Sequence, residues 1–230
     1  MLNVICLKHG IKYQSYYVNK LHNMIKRNLS IPHRFICFTE NSVGIDKSIQ
    51  INPLPDLGLF GWWYKPYIFK KDLLPKGDIN FFIDLDMVII KNIDKLINFE
   101  PDKFLGLQDP SRAIKSGEPK LGSAVMRWIS GQYSDIWEVL SNNKSLVSNY
   151  KGDQDYIWSM HKNKLNYYPR EWILSYKWEV RNRSELTSER PRKFKTIRNP
   201  VVHNETCIPA FHGYPRVDMV QDPIIVENWI

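Results

Sequence analysis

The stretch Asn80-Phe81-Phe82-Ile83-Asp84-Leu85-Asp86-Met87-Val88-Ile89-Ile90 sets two carboxylates, one apolar residue apart, at the end of an apolar run that then resumes. Phe81, Phe82 and Ile83 in succession read as a strand buried on both faces. In an open α/β sheet, residues that end such a strand lie at the carboxyl edge, where ligands bind. Two acids side by side at that edge repel each other, and a divalent cation is the natural way to keep both ionised. The plainer alternative is a helix-capping aspartate with a surface neighbour.

Outward from this strand the chain alternates apolar runs with helical spacing. Strands are expected at 2–7, 34–38, 48–51, 80–83, 88–90, 104–107 and 123–128. Tyr17, Leu21, Met24 and Ile25 repeat at helical intervals, and further helices are expected at 63–74, 93–99, 134–140 and 153–160. This alternation predicts an α/β fold: a Rossmann-like three-layer α/β/α arrangement with a mostly parallel central sheet. From about residue 168 the alternation fades into an aromatic and basic tail containing Trp172, Tyr176 and Trp178. The first strand leads into Lys8-His9-Gly10-Ile11-Lys12, which is neither a G-x-G-x-x-G turn nor a Walker A loop.

Composition agrees with one compact domain over 1–230: 43% of the residues are hydrophobic and 24% charged, enough to bury a sizeable core. The opening apolar run, residues 1–7, is too short for a secretory signal, and no stretch is long and apolar enough to span a membrane. Cys6, Cys37 and Cys207 are odd in number and none lies at C-x-x-C spacing, so buried thiols in a reducing, cytoplasmic setting are expected. A net charge of +8 attracts anions but falls far short of a dedicated nucleic-acid binder. Residues 181–198 carry seven basic residues against Glu185 and Glu189. That stretch reads as a solvated basic loop or as an arm that meets an anionic substrate.

Two chemistries use a strand-end acid pair. In one, the pair holds Mn²⁺ or Mg²⁺ against the diphosphate of a nucleotide-sugar. In the other, that of the haloacid-dehalogenase-type phosphohydrolases, Asp84 would be the nucleophile and Asp86 the general acid, and Asp84-Leu85-Asp86-Met87-Val88 fits that text. Position separates them: the hydrolase motif closes the first strand of its domain, whereas here some eighty residues of strand and helix precede it.

Four further segments follow in order. Gly61-Trp62-Trp63-Tyr64-Lys65-Pro66 lies about twenty residues ahead of the acid pair; Leu121-Gly122-Ser123-Ala124-Val125-Met126, Gly152-Asp153-Gln154-Asp155 and Phe211-His212-Gly213-Tyr214-Pro215-Arg216 come after it. With these the chain resembles, over nearly its whole length, the GT-A nucleotide-diphospho-sugar glycosyltransferases, in particular the retaining glycogenin and galactosyltransferase type (family 8-like). The correspondence is to a W-x-K helix, the strand that cups the sugar, a D-Q-D helix start and an F-H-G segment that supplies a metal ligand. Leu121-Gly122 stands where the family has Asn, and Arg216-Val217 where it has Lys-Pro.

The resemblance implies a nucleotide-binding half at about 1–110 and an acceptor half at about 111–230. It implies Mn²⁺ (or Mg²⁺) held by Asp84, Asp86 and His212, with a neutral imidazole whose protonation near pH 6.5 would release the metal. Asp153 and Gln154 become the catalytic pair. Donor contacts fall to Leu7, Lys8, Tyr13, Thr39, Trp63, Lys65, Asp84 and Leu85, and then to Asp109, Ser123, Asp155, Gly213 and Arg216. The donor is a nucleotide-sugar, with UDP favoured, and the acceptor is an unspecified glycan, lipid or protein. Should the enzyme invert, Asp153 or Asp155 is the base. Each residue also has a structural reading: Lys65 and Arg216 as solvated cations, Asp153 as a helix cap, and the Trp62-Trp63-Tyr64 cluster as core on one face or a platform for a sugar ring. His9, His22, His33, His161 and His203 show no partner spacing.

Overall fold

The computed structural model describes residues 1–109, 117–180 and 202–230. The basic stretch 181–198 lies outside the described residues. The strands are β1 (Leu2–Lys8), β2 (His33–Thr39), β3 (Gln50–Pro53), β4 (Ile79–Ile83), β5 (Phe104–Gln108), β6 (Leu121–Ile129), β7 (Leu165–Tyr167), β8 (Ile173–Ser175) and β9 (Ile208–Ala210). The helices are α1 (Ser15–Asn28), α2 (Asp94–Asn98), α3 (Asp135–Asn142), α4 (Asp153–His161) and α5 (Pro223–Val226).

Seven strands form one sheet in the order β3-β2-β1-β4-β6-β5-β7, and β8 and β9 pair in a small second sheet. β3, β2, β1 and β4 run parallel, and so do β5 and β7. β6 runs against both of its neighbours. The sheet is therefore mostly parallel, as expected, with one reversed strand, β6, between β4 and β5.

Alternation along the central strands builds two cores. Val4, Cys6, Phe81 and Ile83 face Tyr17, Leu21 and Met24 of α1. Ile5, Phe82, Met126 and Trp128 face the other way, onto Trp63, Tyr67 and Phe69 and onto α3 and α4. α1 is explained by its apolar stripe, with Lys26 and Arg27 placed favourably in the last turn.

Two expected elements come out differently. The helix expected at 63–74 is a 3-10 segment, Gly61–Phe69, with Pro66 inside it. Proline lacks the N–H an α-helix needs, and its ring clashes with the preceding turn, so the tighter coil prevails. The strand expected at 88–90 is only an extended run against the chain's tail: Met87 bridges Ala210, Val88 N–H donates to Pro209 O (3.3 Å) and Ile90 N–H to Cys207 O (2.9 Å). These three contacts carry residues 207–210 back to the carboxyl edge of β4. No helix among the described residues is long and apolar enough to cross a membrane.

Candidate active site

β4 ends at Ile83, and the chain turns through Asp84 and Asp86 at the sheet's carboxyl edge, pinned by Asp84 N–H donating to Ala124 O of β6 (2.8 Å). Lys65, on the 3-10 segment, is only 5% exposed. Its ammonium donates to Asp84 Oδ2 (3.0 Å), to Ser123 Oγ (3.1 Å) and to Ser123 O (3.2 Å), and stands 3.5 Å from Asp153 Oδ2. Ser123 Oγ in turn donates to Asp153 Oδ2 (2.5 Å). One buried cation thus joins the strand-end acid to the acid that begins α4.

The solvated-lysine reading of Lys65 is overturned, because burial of an ammonium requires the acids around it. Nor is Asp153 a helix cap: Gly152 holds the cap position, without a side-chain bond, and the Asp153 carboxylate faces Ser123 and Lys65. Burial by itself would pull the Lys65 ammonium down, but Asp153 and then Asp84 hold it above its usual range.

Burial pushes Asp84 up to about 7; Lys65 opposes this, while the charges of Asp86 and Asp153 add to it. Asp86 is also raised by burial, against the hydrogen bond that Tyr13 donates to its Oδ2 (2.6 Å). Tyr13 is raised as well, by burial and then by the Asp86 charge, and so stays a donor. The pair is short of positive charge, which is the condition a cation relieves.

His212 follows Ala210, the residue bridged to Met87, by two positions and so arrives at the same edge. Its Nε2 hydrogen-bonds Ser175 Oγ (2.7 Å), and Lys177 Nζ donates to its carbonyl (3.4 Å). Gly213, at φ +69, makes the turn here, a conformation that glycine adopts without strain. Crowding by protein and then Lys177 lower the imidazole to about 4, against the pull of Asp109. The ring is nonetheless solvent-exposed at the rim, so water moderates that shift. Asp84, raised to about 7, thus joins His212 as a group whose protonation bears on metal binding.

Two carboxylates and an imidazole suit Mn²⁺ or Mg²⁺ in donor type. Among the described residues, however, no three His, Cys, Asp or Glu side chains converge into a metal-holding cluster. Lys65 and Tyr13 each engage one oxygen of the acid pair, and Ser175 engages the imidazole.

The remaining expected residues divide by place. Lys8 and Thr39 pair in register at the ends of β1 and β2, and both turn to Asn41: Lys8 Nζ donates to Asn41 O (3.4 Å), and Thr39 Oγ1 donates to that oxygen (3.0 Å) and accepts from Asn41 N–H (3.1 Å). Leu7 is half-buried beside them, and Leu85 is buried under the acid pair. Gln154 Nε2 donates to Asp109 Oδ2 (3.1 Å), which links α4 to the end of β5; Asp155 is half-buried on the same helix. Arg216 is half-buried and pairs with Asp218 (3.5 Å). Trp63, expected at the donor, is instead core: it is 2% exposed and packs against Tyr156. Asn41, Ser175 and Lys177 carried no signal in the sequence, since each enters through a contact distant along the chain or a loop turn.

The fold is that of the GT-A glycosyltransferases. Solved structures with this fold include an active-site mutant of LgtC, with TM-score 0.66 and 10% identity over 98% of this chain and 94% of that one. They include the galactosyltransferase LgtC in complex with donor and acceptor sugar analogs, at TM-score 0.61 and 10% identity over 94% and 88% of the two chains. The glycosyltransferase GlyE of Streptococcus pneumoniae TIGR4 matches at TM-score 0.58 and 9% identity over 77% of this chain, which spans about half (48%) of that one. No family model and no curated protein matches the sequence.

Proposed function

We propose that this protein is a glycosyltransferase that moves a hexose from a nucleoside-diphosphate sugar, UDP favoured, to a hydroxyl acceptor with retention of configuration. The observation that carries the reading is the Lys65 ammonium shared between Asp84, Ser123 and Asp153. It places a fixed positive charge between the strand-end acids, beside which a diphosphate would leave, and the α4 acid that would hold a sugar hydroxyl. Such a donor has a departing group that gains negative charge as the bond to C1 breaks. Asp84 and Asp86 would hold Mn²⁺ or Mg²⁺, with His212 the further ligand once its segment draws in from Ser175, and the ion when bound would supply Lewis-acid stabilisation of that charge.

Gln154, its amide N–H given to Asp109, has its carbonyl oxygen left to meet the sugar in this reading. The bond to the diphosphate oxygen breaks, the acceptor oxygen bonds to C1, and the acceptor's proton departs with the leaving group. Lys8, Thr39 and Asn41 line the end of the sheet where a base would lie. Three buried free thiols suit a reducing, cytoplasmic setting.

The phosphohydrolase reading is not favoured. Asp84, its nucleophile, ends the fourth strand of the chain rather than the first and is paired with Lys65. A panel of nucleotide-sugars, each with and without Mn²⁺, tests the proposal by thermal shift and by release of the nucleoside diphosphate. Joint stabilisation by donor and metal is expected. Stabilisation by beryllofluoride with none by any nucleotide-sugar would point to the phosphohydrolase.

A further inference from the structure

We infer that Trp62 is the aromatic floor of an acceptor subsite for a pyranose ring, so that the acceptor is a glycan or glycoside. The inference rests on the sugar-transfer reading above and deepens it. Trp62 and Trp63 are adjacent and opposite in fate: Trp63 is 2% exposed and Trp62 is 53% exposed, next to Phe60 at 62%. Gly61, between Phe60 and Trp62, sits at φ +53 at the start of the segment in which Phe60 and Trp62 stay exposed while Trp63 enters the core.

The Trp62 indole lies beside Gly152. A Cβ built on Gly152 would lie 3.4 Å from its Nε1 and 3.8 Å from its Cδ1, so the ring edge borders the space over Gly152, immediately before Asp153 and Gln154. The 3-10 segment therefore contributes two groups to one locality. Lys65 reaches inward to Asp84 and Asp153, and three residues earlier Trp62 is half exposed to water.

A half-exposed indole whose edge lies beside the start of α4 is what a sugar ring needs: the axial C–H face of a pyranose is apolar and weakly positive, and it stacks on the electron-rich face of the indole. A ring on that face would approach α4 from the solvent side, opposite the buried Lys65. That is where an acceptor hydroxyl must enter if the donor occupies the strand ends.

Indole-¹⁵N labelling gives eight tryptophan resonances, and the one missing in Trp62→Phe assigns Trp62. Methyl glucoside, methyl galactoside and methyl N-acetylglucosaminide are then titrated into the wild-type protein without nucleotide. A shift of the Trp62 resonance by at least one of them, with the other seven still, is expected. Shifts confined to other tryptophans, or none with any glycoside, overturn the inference. This readout is independent of donor chemistry, so failure of the nucleotide-sugar panel and failure of the subsite are told apart. Where transfer is measurable, Trp62→Ala raises the acceptor KM about tenfold or more and Trp62→Tyr recovers most of it. An equal rise in donor KM alone would place Trp62 at the donor and refute the acceptor assignment.

Discussion

Lys65 Nζ lies 3.0 Å from Asp84 Oδ2 and 3.5 Å from Asp153 Oδ2, so a single buried ammonium couples the end of β4 to the start of α4. Lys65 is the buried cation that both acids share, and without it the two would repel across the site. The relationship fixes the placement of the two acids, on which the proposed donor site depends.

Lys65→Met removes the charge and keeps the length. Leaving Asp153 and Asp84 without their partner should destabilise the fold by about 3 kcal/mol. Adding Asp153→Asn should restore part of that loss, read as the coupling in a double-mutant cycle of urea midpoints. Strict additivity would show that the ammonium and carboxylate do not interact energetically.

Asp86→Asn should leave the fold intact and lower turnover by about a hundredfold or more. Calorimetric Mn²⁺ titration in the same variant should show weakened binding. Parental turnover and affinity would remove Asp86 from the proposed metal site.

Asp84 sets a pH dependence. Its folded pKa of about 7 lies above the ordinary carboxyl value of 3.8, so the native state holds its proton more tightly than the unfolded chain. The stabilisation is complete below about pH 4 and is lost as pH rises through 7. Asp84→Asn should flatten that fall in metal-free protein, and Mn²⁺ should raise the unfolding midpoint more at pH 8 than at pH 5.

His212 acts in the opposite sense. Its folded pKa, about 4, lies below the ordinary 6.5, so it contributes stability that is present above pH 6.5 and lost as pH falls through 4. The two slopes overlap, and only the single variants separate them. His212→Ala should weaken Mn²⁺ binding about tenfold or more while leaving the midpoint of its pH dependence near 7. A midpoint that moves with the alanine change would return control to the imidazole.

Trp63→Ala tests the core assignment. Truncating a buried indole should cost about 3–5 kcal/mol. In molecules that remain folded at low temperature the donor KM should stay close to the parent's. A large rise in donor KM without loss of stability would put Trp63 back at the donor.

The sequence by itself determined the strand that ends in Asp84 and Asp86 and the alternation that makes a three-layer sheet; it tied Lys65 and Asp153 to that edge only through a family resemblance. Burial periodicity and the chemistry of paired acids are local, and a single chain displays both. It could not display that β6 runs antiparallel between β4 and β5, because strand direction depends on where the connecting chain returns. Nor could it choose between Trp62 and Trp63: a glycine turn and a proline in a 3-10 coil decide which indole enters the core. The return of His212 rests on the Met87–Ala210 bridge, 123 residues apart in the chain, and the titration of Asp84 rests on burial among Lys65, Asp86 and Asp153. Those are properties of surroundings that exist only once distant segments have packed.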